Sequence, residues 1–312
     1  MRVLITGCAG MVGSHVAELL EARGDEVIIV DNFATGRPEH LLNLRTQYKF
    51  EDSIANESLY AQLSSQFSNI DVIVHTAASF ANGNDWSDHI NTNVLGTALI
   101  TRLAQKFNCR LIYFQTALCY GDNPTIQPVP LEYSRQPMAS SYAISKTAGE
   151  FYIEQSGVDF VTFRLANIVG PRNLSGPLPI FYKRINAGEK CVIANAKRDF
   201  IDVRNLATVV LQAVDGCGNG AYHFSSGKDV QIIDLYKKVV AAMRLDFEPE
   251  YDFQENAAGG PPSILLDPTR TYSDFDMPIL NSIEETVSGA ISYYEKFGVT
   301  REVTHLKKNE FE

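Results

Sequence analysis

The chain has 312 residues, of which 45% are apolar, and its formal net charge is −10. This length and apolar content allow one large α/β unit with a smaller appended lobe. The acidic balance argues against a nucleic-acid surface, which needs a basic face, and no apolar run approaches the roughly 20 residues that span a bilayer. The start, MRVLITG, enters a strand without a basic leader. We therefore expect a cytoplasmic protein that binds neither nucleic acid nor a membrane.

Short runs rich in Val and Ile alternate with helical patterns through the first half of the chain. In chain order they predict strand 2–6, helix 11–23, strands 26–31 and 48–50, helix 57–67, strand 71–78, a helix ending near 107, strand 110–116, helix 140–156 and strand 159–166. Repeated β-α-β units of this kind predict an α/β fold with a doubly wound parallel sheet. After residue 167 the pieces become short and mixed, which indicates a smaller mixed α/β lobe.

These patterns predict two lobes. The nucleotide-binding domain is predicted over 1–167, with a return segment at about 199–218. The substrate-binding lobe is predicted over 168–198 and 219–312. Polar residues at the carboxyl ends of buried parallel strands mark the crevice where such sheets bind ligands. The residues at such ends are Thr6, Asp31, His75, Thr116 and Asn167.

The turn from the first strand to the first helix carries a dinucleotide signal. Gly7 permits the tight turn, Gly10 lets a phosphate approach the backbone, and Gly13 lets the helix pack close to the strand. Asp31 ends the second strand, where a carboxylate can accept both ribose hydroxyls and would repel a 2′-phosphate. The pattern predicts NAD; Arg37, close in sequence, leaves NADP open as the alternative.

Tyr142 and Lys146 lie four residues apart on a predicted helix and therefore share a face. To act as a base at neutral pH, a tyrosine needs its pKa lowered from about 10 to about 7, which corresponds to roughly 4 kcal/mol. A lysine cation at about 5 Å contributes on the order of 3 kcal/mol at an effective dielectric of 20, and a charged nicotinamide ring adds to it. Thr116, at the end of a central strand, could bond the substrate oxygen that exchanges this proton.

The five cysteines are odd in number and lack any C-x-x-C spacing, which argues against a disulfide framework or a zinc site. We predict no metal site, and we predict that each cysteine is a small apolar filler. Cys119, close to Thr116 in sequence, leaves a contact with substrate open as the alternative.

Several motifs recur in a fixed order. They are Gly7-x-x-Gly10-x-x-Gly13, Asp31-Asn32, HTAA at 75–78, NTNVLGT around Asn93, Thr116, Tyr142-x-x-x-Lys146, RLANIVGPR at 164–172 and RDFIDV at 198–203. Together they resemble the extended short-chain dehydrogenase/reductases, and within them the nucleotide-sugar 4-epimerases of the UDP-galactose type. The chain is also similar to epimerase-like enzymes of bacterial surface-polysaccharide clusters. The resemblance covers nearly the whole chain.

The resemblance implies a Rossmann domain that retains NAD, and a homodimer formed through the helices at about 85–107 and 140–156. It makes Tyr142 the base, places Lys146 on the nicotinamide ribose, and gives Thr116 a role at the sugar 4-hydroxyl. It implies that Asn167 and Arg198 contact the diphosphate of a UDP-sugar. The implied cofactor contacts are Gly7, Gly10, Met11, Val12, Gly13, Asp31, Asn32, Ser53, Ile54, Ala77, Asn93, Tyr142 and Lys146.

Three departures from the family pattern matter. Ala117 and Leu118 follow Thr116 where related dehydratases and decarboxylases carry acidic or polar residues, which disfavours 4,6-dehydration. Ala257 takes the place of a diphosphate-binding arginine, so either a neighbour such as Arg270 substitutes or the diphosphate is held less firmly. Ser53 replaces the usual acid near the adenine.

The sequence thus predicts a UDP-sugar 4-epimerase with permanently bound NAD. A 4-keto-sugar reductase or a 4,6-dehydratase is the enzymatic alternative. A non-catalytic NAD-sensing protein is the remote one, because such sensors commonly lack the Tyr/Lys pair. Neither the sugar nor the nucleotide base is fixed by the residues.

Overall fold

The computed structural model describes residues 1–80, 85–138, 140–255 and 263–299. The strands are β1 (Arg2–Thr6), β2 (Glu26–Asp31), β3 (Lys49–Glu51), β4 (Val72–His75), β5 (Arg110–Thr116), β6 (Phe160–Leu165), β7 (Asn167–Val169), β8 (Cys191–Ala194), β9 (Lys197–Arg198), β10 (Phe200–Asp202), β11 (Gly220–Phe224), β12 (Val230–Gln231) and β13 (Tyr251–Gln254).

The helices are α1 (Met11–Arg23), α2 (Glu57–Gln66), α3 (Trp86–Asp88), α4 (Thr97–Phe107), α5 (Ser141–Gln155), α6 (Pro177–Asn186), α7 (Val203–Val214), α8 (Ile232–Met243), α9 (Thr269–Asp274) and α10 (Ile283–Phe297). Short 3₁₀ turns cover Pro38–Leu41 and Ala117–Tyr120, and a π-helical segment over His89–Gly96 joins α3 to α4. No helix within the described ranges is long and apolar enough to cross a membrane.

Among the described residues, seven parallel strands form the main sheet in the order β11, β6, β5, β4, β1, β2, β3. The predicted fold class is confirmed. One boundary differs, because β11 pairs with β6 from Gly220↔Val161 to Phe224↔Leu165. The return segment therefore extends through Phe224 rather than ending near residue 218, and β11 belongs to the main sheet.

Side chains of the buried strands alternate between two cores, one on each face of the sheet. In β1, Val3 and Ile5 face the core that includes apolar residues of α1 and α7. Leu4 faces the opposite core, which includes residues of α2 and α4. Each of these β1 side chains is fully buried. Helices cover both faces, as an apolar parallel sheet requires.

The smaller lobe has its own core, built from α6, α8, α10 and β8. Its β13 pairs in parallel with β8, and β12 pairs antiparallel with β9. Within the lobe, the Tyr294 hydroxyl of α10 donates to the carbonyl of Asn173 (2.6 Å). α10 also ties the lobe to the nucleotide-binding side, where the Tyr293 hydroxyl bonds Nε2 of His40 (2.8 Å). The lobe core is therefore separate from the two cores that flank the main sheet.

Candidate active site

The glycine turn before α1 is held tightly against β4. Gly7 has φ +69°, and a Cβ there would lie 2.6 Å from the Ala77 backbone. A Cβ on Gly13 would lie 2.6 Å from the Gly7 carbonyl oxygen. At Gly10 a Cβ would meet a single neighbour, the Gly7 oxygen at 3.1 Å, among the described residues. The turn is packed against the protein at Gly7 and Gly13, whereas Gly10 has a single close neighbour among the described residues, so a ligand can approach its other side.

Asp31 fixes the same turn from the end of β2. Its Oδ2 accepts from the Ala9 amide (2.8 Å) and its Oδ1 accepts from the Phe33 amide (2.8 Å). Burial raises the pKa of Asp31, and these two amides oppose that shift. Each carboxylate oxygen keeps a second lone pair for a ribose hydroxyl. Asn32 is exposed beside it.

Two arginines near this turn carry buried N–H groups with no acceptor among the described residues. These atoms are Nε and Nη2 of Arg37 and Nη1 of Arg172. Arg37 donates its backbone N–H to Ala9 O (2.9 Å), and Arg172 Nη2 donates to Glu18 Oε1 on α1 (2.6 Å). Buried guanidinium donors normally have a partner, so both fit an anion bound at the turn.

The other candidate cofactor contacts surround the turn and the end of β4. Asn93 uses both amide donors within the protein, to Ser79 O (2.8 Å) and Ser145 Oγ (2.9 Å), while its Oδ1 accepts from Ser79 N (2.8 Å). It therefore joins the loop after β4 to α5, and one lone pair remains for a ligand. Ile54 is buried against Gly96, and Ser53 Oγ accepts from Ala55 N (3.3 Å). Met11, Val12 and Ala77 are half-buried.

Thr6 and His75, two of the polar strand ends, belong to the core rather than the crevice. Both are fully buried, and Thr6 Oγ1 bonds His75 Nδ1 at 2.6 Å. The other ring nitrogen, Nε2, bonds Thr97 Oγ1 at 3.0 Å. Burial lowers the pKa of His75 to about 3, so the ring is neutral near pH 7. A polar residue at the end of a strand can therefore either contact a ligand or form a hydrogen bond inside the core, and its position in the sequence does not tell which.

Thr116 ends β5 and caps the turn that follows. Its Oγ1 accepts from Leu118 N (3.2 Å), and its own N–H donates to Gln115 Oε1 (2.8 Å). Because the hydroxyl accepts in this cap, its proton remains available for another oxygen. Cys119, two residues beyond Ala117, is fully buried and burial raises its pKa, so it packs as filler.

Tyr142 and Lys146 share one face of α5, which begins at the Ser140 cap and packs against β5. Lys146 is 3% exposed, and its ammonium lies 3.9 Å from the centroid of the Tyr113 ring. Burial lowers the pKa of Lys146 to about 7, opposed by the charge of Glu150, and burial raises the pKa of Tyr142 to about 12. The Tyr142 ring packs edge-on to His89, with the centroids 6.2 Å apart. A half-buried phenol and a buried ammonium thus lie one helical turn apart on the same face of α5.

Asn167 and Arg198 are brought together by the pairing of β7 with β10. Asn167 aligns with Phe200, and its Nδ2 donates to Asp199 O (3.0 Å). Arg198 donates to Lys197 O (2.7 Å), and burial lowers its pKa. Two residues 31 positions apart therefore lie side by side at the smaller lobe.

Arg270 does not lie with them. Its guanidinium donates to Ala221 O (2.9 Å) and Asn219 O (2.8 Å), at the amino end of β11, and stacks 4.3 Å from the centroid of the Tyr222 ring. That end is opposite to the carboxyl edge that holds Thr116, so we leave Arg270 out of the substrate site. Ala257 lies outside the described residues.

Comparisons with known proteins agree with this geometry. Residues 3–224 match the model of the NAD dependent epimerase/dehydratase family. The Bordetella bronchiseptica enzyme WbmH, solved in complex with NAD+, is 51% identical, with a TM-score of 0.92 over 95% of this chain and 99% of that one. WbmG from the same organism, with NAD and UDP, is 34% identical, with a TM-score of 0.87 over 98% and 97%. UDP-glucose 4-epimerase from Thermotoga maritima, with UDP-glucose, is 27% identical, with a TM-score of 0.84 over 95% and 99%.

Proposed function

Since the chain belongs to the NAD dependent epimerase/dehydratase family, as its motifs predict, we propose that it is a nucleotide-sugar 4-epimerase that acts on a UDP-sugar. The observation that carries the proposal is the end of β5. The Thr116 hydroxyl has a proton to donate, and the next two residues, Ala117 and Leu118, are apolar. Reversible oxidation at C4 needs a base and a hydride carrier, whereas elimination also needs an acid at the leaving group. This strand end favours the first reaction.

The predicted cofactor, NAD, is confirmed by the family and by the NAD-bound structures of WbmH and WbmG. The residues present fit it. The open face of Gly10 and the first-turn N–H groups of α1 would hold the pyrophosphate, together with the unpaired donors of Arg37 and Arg172. Asp31 would accept the adenosine ribose hydroxyls, which favours NAD over its 2′-phosphate form. When bound, the oxidised nicotinamide accepts a hydride and later returns it.

Tyr142 takes the proton of the sugar 4-hydroxyl and gives it back. Burial alone would leave it protonated, since its pKa is raised to about 12. A unit positive charge at about 5 Å opposes this by on the order of 3 kcal/mol, which is the role of the Lys146 ammonium. Thr116 donates its hydroxyl proton to the same substrate oxygen and keeps it in line with Tyr142.

Asn167 and Arg198 hold the substrate diphosphate from the smaller lobe. A guanidinium suits a diphosphate because it combines charge with several donors. Support comes from relatives of similar fold, since WbmG was solved with UDP and the Thermotoga maritima enzyme with UDP-glucose.

The protein forms a homodimer through the two helices that flank the site. Exposed apolar side chains lie on this surface, at Ile90, Leu95, Ile144, Phe151 and Tyr152. Apolar patches of this kind on a monomer are typical of interfaces. Tyr152→Glu is expected to convert a dimer into a monomer in analytical ultracentrifugation, whereas Tyr272→Glu, on the distant α9, leaves it intact. A Tyr152→Glu protein that sediments like the parent would contradict this interface.

A cytoplasmic location and a role in polysaccharide biosynthesis stay predictions.

The activity is tested with a panel of UDP-hexoses, UDP-N-acetylhexosamines and UDP-uronic acids. We expect at least one 4-epimer pair to interconvert without added NAD, and Tyr142→Phe to abolish turnover while retaining bound nucleotide. Failure on the whole panel would sink the epimerase proposal. Nucleotide released by denaturation separates the alternatives, because an epimerase holds stoichiometric NAD whereas a 4-keto-sugar reductase exchanges it. A 4,6-dehydratase would instead yield a product lighter by one water in mass spectrometry. An NAD-sensing protein would keep its cellular phenotype in Tyr142→Phe.

A further inference from the structure

A buried cluster of charges lies behind the Thr116, Tyr142 and Lys146 side chains. Its centre is Glu150, fully buried on α5 one helical turn after Lys146. Arg164 Nε lies 3.0 Å from Glu150 Oε1, and Arg135 Nη1 lies 3.0 Å from its Oε2. Glu154 receives two further bonds from Arg135, at 2.8 and 2.9 Å. The formal charges of these four residues cancel, so neutralising Glu150 would leave a net positive charge next to Lys146.

Gln115 connects this cluster to the strand end. Its Nε2 donates to Glu150 Oε2 (3.1 Å), and its Oε1 accepts from the Thr116 amide (2.8 Å). Gln115 is 2% exposed, so no water competes for these bonds. The carboxylate on α5 is therefore linked through one amide side chain to the backbone that carries the Thr116 hydroxyl.

The charged and titratable groups around Lys146 come from three elements. β5 supplies the Tyr113 ring and β4 supplies His75, which is neutral because its pKa is about 3. α5 supplies Tyr142 and Glu150. Burial lowers the pKa of Lys146, and the charge of Glu150 opposes that effect. Glu150 is thus the carboxylate that favours the ammonium form of this lysine.

We propose that Glu150 is a positioning residue for proton transfer, which fixes Thr116 through Gln115 and stabilises the Lys146 ammonium from one helical turn away, although it contacts neither substrate nor cofactor. The assignment of Thr116 and Lys146 to catalysis rests on the proposed function; the interaction between Glu150 and Lys146 does not. Glu154 offers a matched control, because it belongs to the same cluster but does not bond Gln115.

The interaction with Lys146 is measured without any substrate. Glu150→Gln and Glu154→Gln are each combined with Lys146→Met in the full chain freed of nucleotide, and the unfolding equilibrium is measured at pH 6 and pH 8. We expect Glu150→Gln to couple to Lys146→Met by about fivefold or more in the unfolding constant at pH 6. The coupling shrinks at pH 8, where Lys146 is mostly neutral with or without Glu150. Coupling for Glu150→Gln no larger than that for Glu154→Gln at pH 6 would overturn the inference.

The effect on catalysis is measured with any sugar that the parent protein converts. Glu150→Gln and Gln115→Leu are each expected to lower kcat by about tenfold or more, with KM and bound NAD within about twofold of the parent. Glu154→Gln keeps kcat within about threefold. A merely structural role would lower bound NAD and thermal stability and leave kcat per holoenzyme unchanged, which would overturn the proposal. A parent that converts no sugar contradicts the proposed function instead, and the coupling at pH 6 still decides this inference.

Discussion

Replacing Lys146 with methionine removes a buried cation from the folded protein. The ammonium has a pKa of about 7 in the fold against its usual 10.5. A shift of this size destabilises the nucleotide-free fold by about 4 kcal/mol at pH 7, because the unfolded chain binds the proton more tightly. Loss of the ammonium contact with the Tyr113 ring opposes this by up to about 2 kcal/mol. We therefore expect Lys146→Met to be inactive yet more stable than the parent by about 2 kcal/mol at pH 7.

The pH dependence of the stability of the parent protein tests this explanation. A lysine whose folded pKa is depressed leaves the unfolded state with more bound protons between about pH 7 and 10.5, so the parent gains stability as the pH rises through this window. The difference in unfolding free energy between Lys146→Met and the parent should therefore narrow toward pH 10. Urea unfolding of both nucleotide-free proteins at several pH values measures it, and other titrating groups cancel in the difference. A gap that stays constant from pH 7 to 10, or a parent that is the more stable protein at pH 7, would refute the reasoning.

The remaining predictions concern the turn, the strand end and acid stability. Gly7→Ala, which forces a Cβ against Ala77 at positive φ, should cost about 2–4 kcal/mol in urea unfolding. Gly10→Ala, whose Cβ would lie 3.1 Å from the Gly7 oxygen, should cost clearly less and lose bound NAD; equal stability of the two would contradict the geometry. Thr116→Val should lower kcat by about 10- to 100-fold while Thr116→Ser retains most activity, and a fully active valine variant would remove the hydroxyl from the mechanism. Four imidazoles, on three buried histidines and one half-buried histidine, have pKa values of about 3 to 4 against the usual 6.5. Their contribution to the free energy of unfolding is therefore complete above about pH 6.5 and is lost as the pH falls toward 4. These imidazoles belong to His15, His40, His75 and His223. A urea midpoint that stays constant from pH 6.5 to 4.5 would contradict this prediction.

The strands of the main sheet could be predicted because each is an apolar run between turns. β1, β2 and β5 have the predicted bounds, and so does α1. The glycine turn was equally readable, since its constraint is local. β11 was missed as a sheet strand because its residues, GAYHF, are mixed in polarity and not a run rich in Val and Ile.

The surroundings of the site were harder to predict, because side-chain pairs depend on the tertiary fold. Glu150 bonds Arg164, 14 residues away, and Gln115, 35 residues away. Nothing in the local pattern distinguishes such a glutamate from a solvated one on the same helix. Arg270 illustrates the reverse error, since proximity in sequence to a missing arginine suggested a role that its bonds at the amino end of β11 do not support.

The return of the chain to the main sheet limits how this protein can be recombined. After β7, α6 and β8 enter the smaller lobe, and α7 and β11 go back to the main sheet. α8 and β13 enter the lobe again, residues 264–280 with α9 return to pack beside the main sheet, and α10 ends the described chain in the lobe. A chimaera that exchanges the smaller lobe with that of a relative therefore needs five crossovers, near residues 167, 199, 225, 263 and 282. A single junction would either take β11 away from β6 or leave half of the lobe core facing foreign side chains. A single gene fusion therefore cannot exchange this lobe as a unit, whereas substitutions of individual lobe residues leave the chain path unchanged.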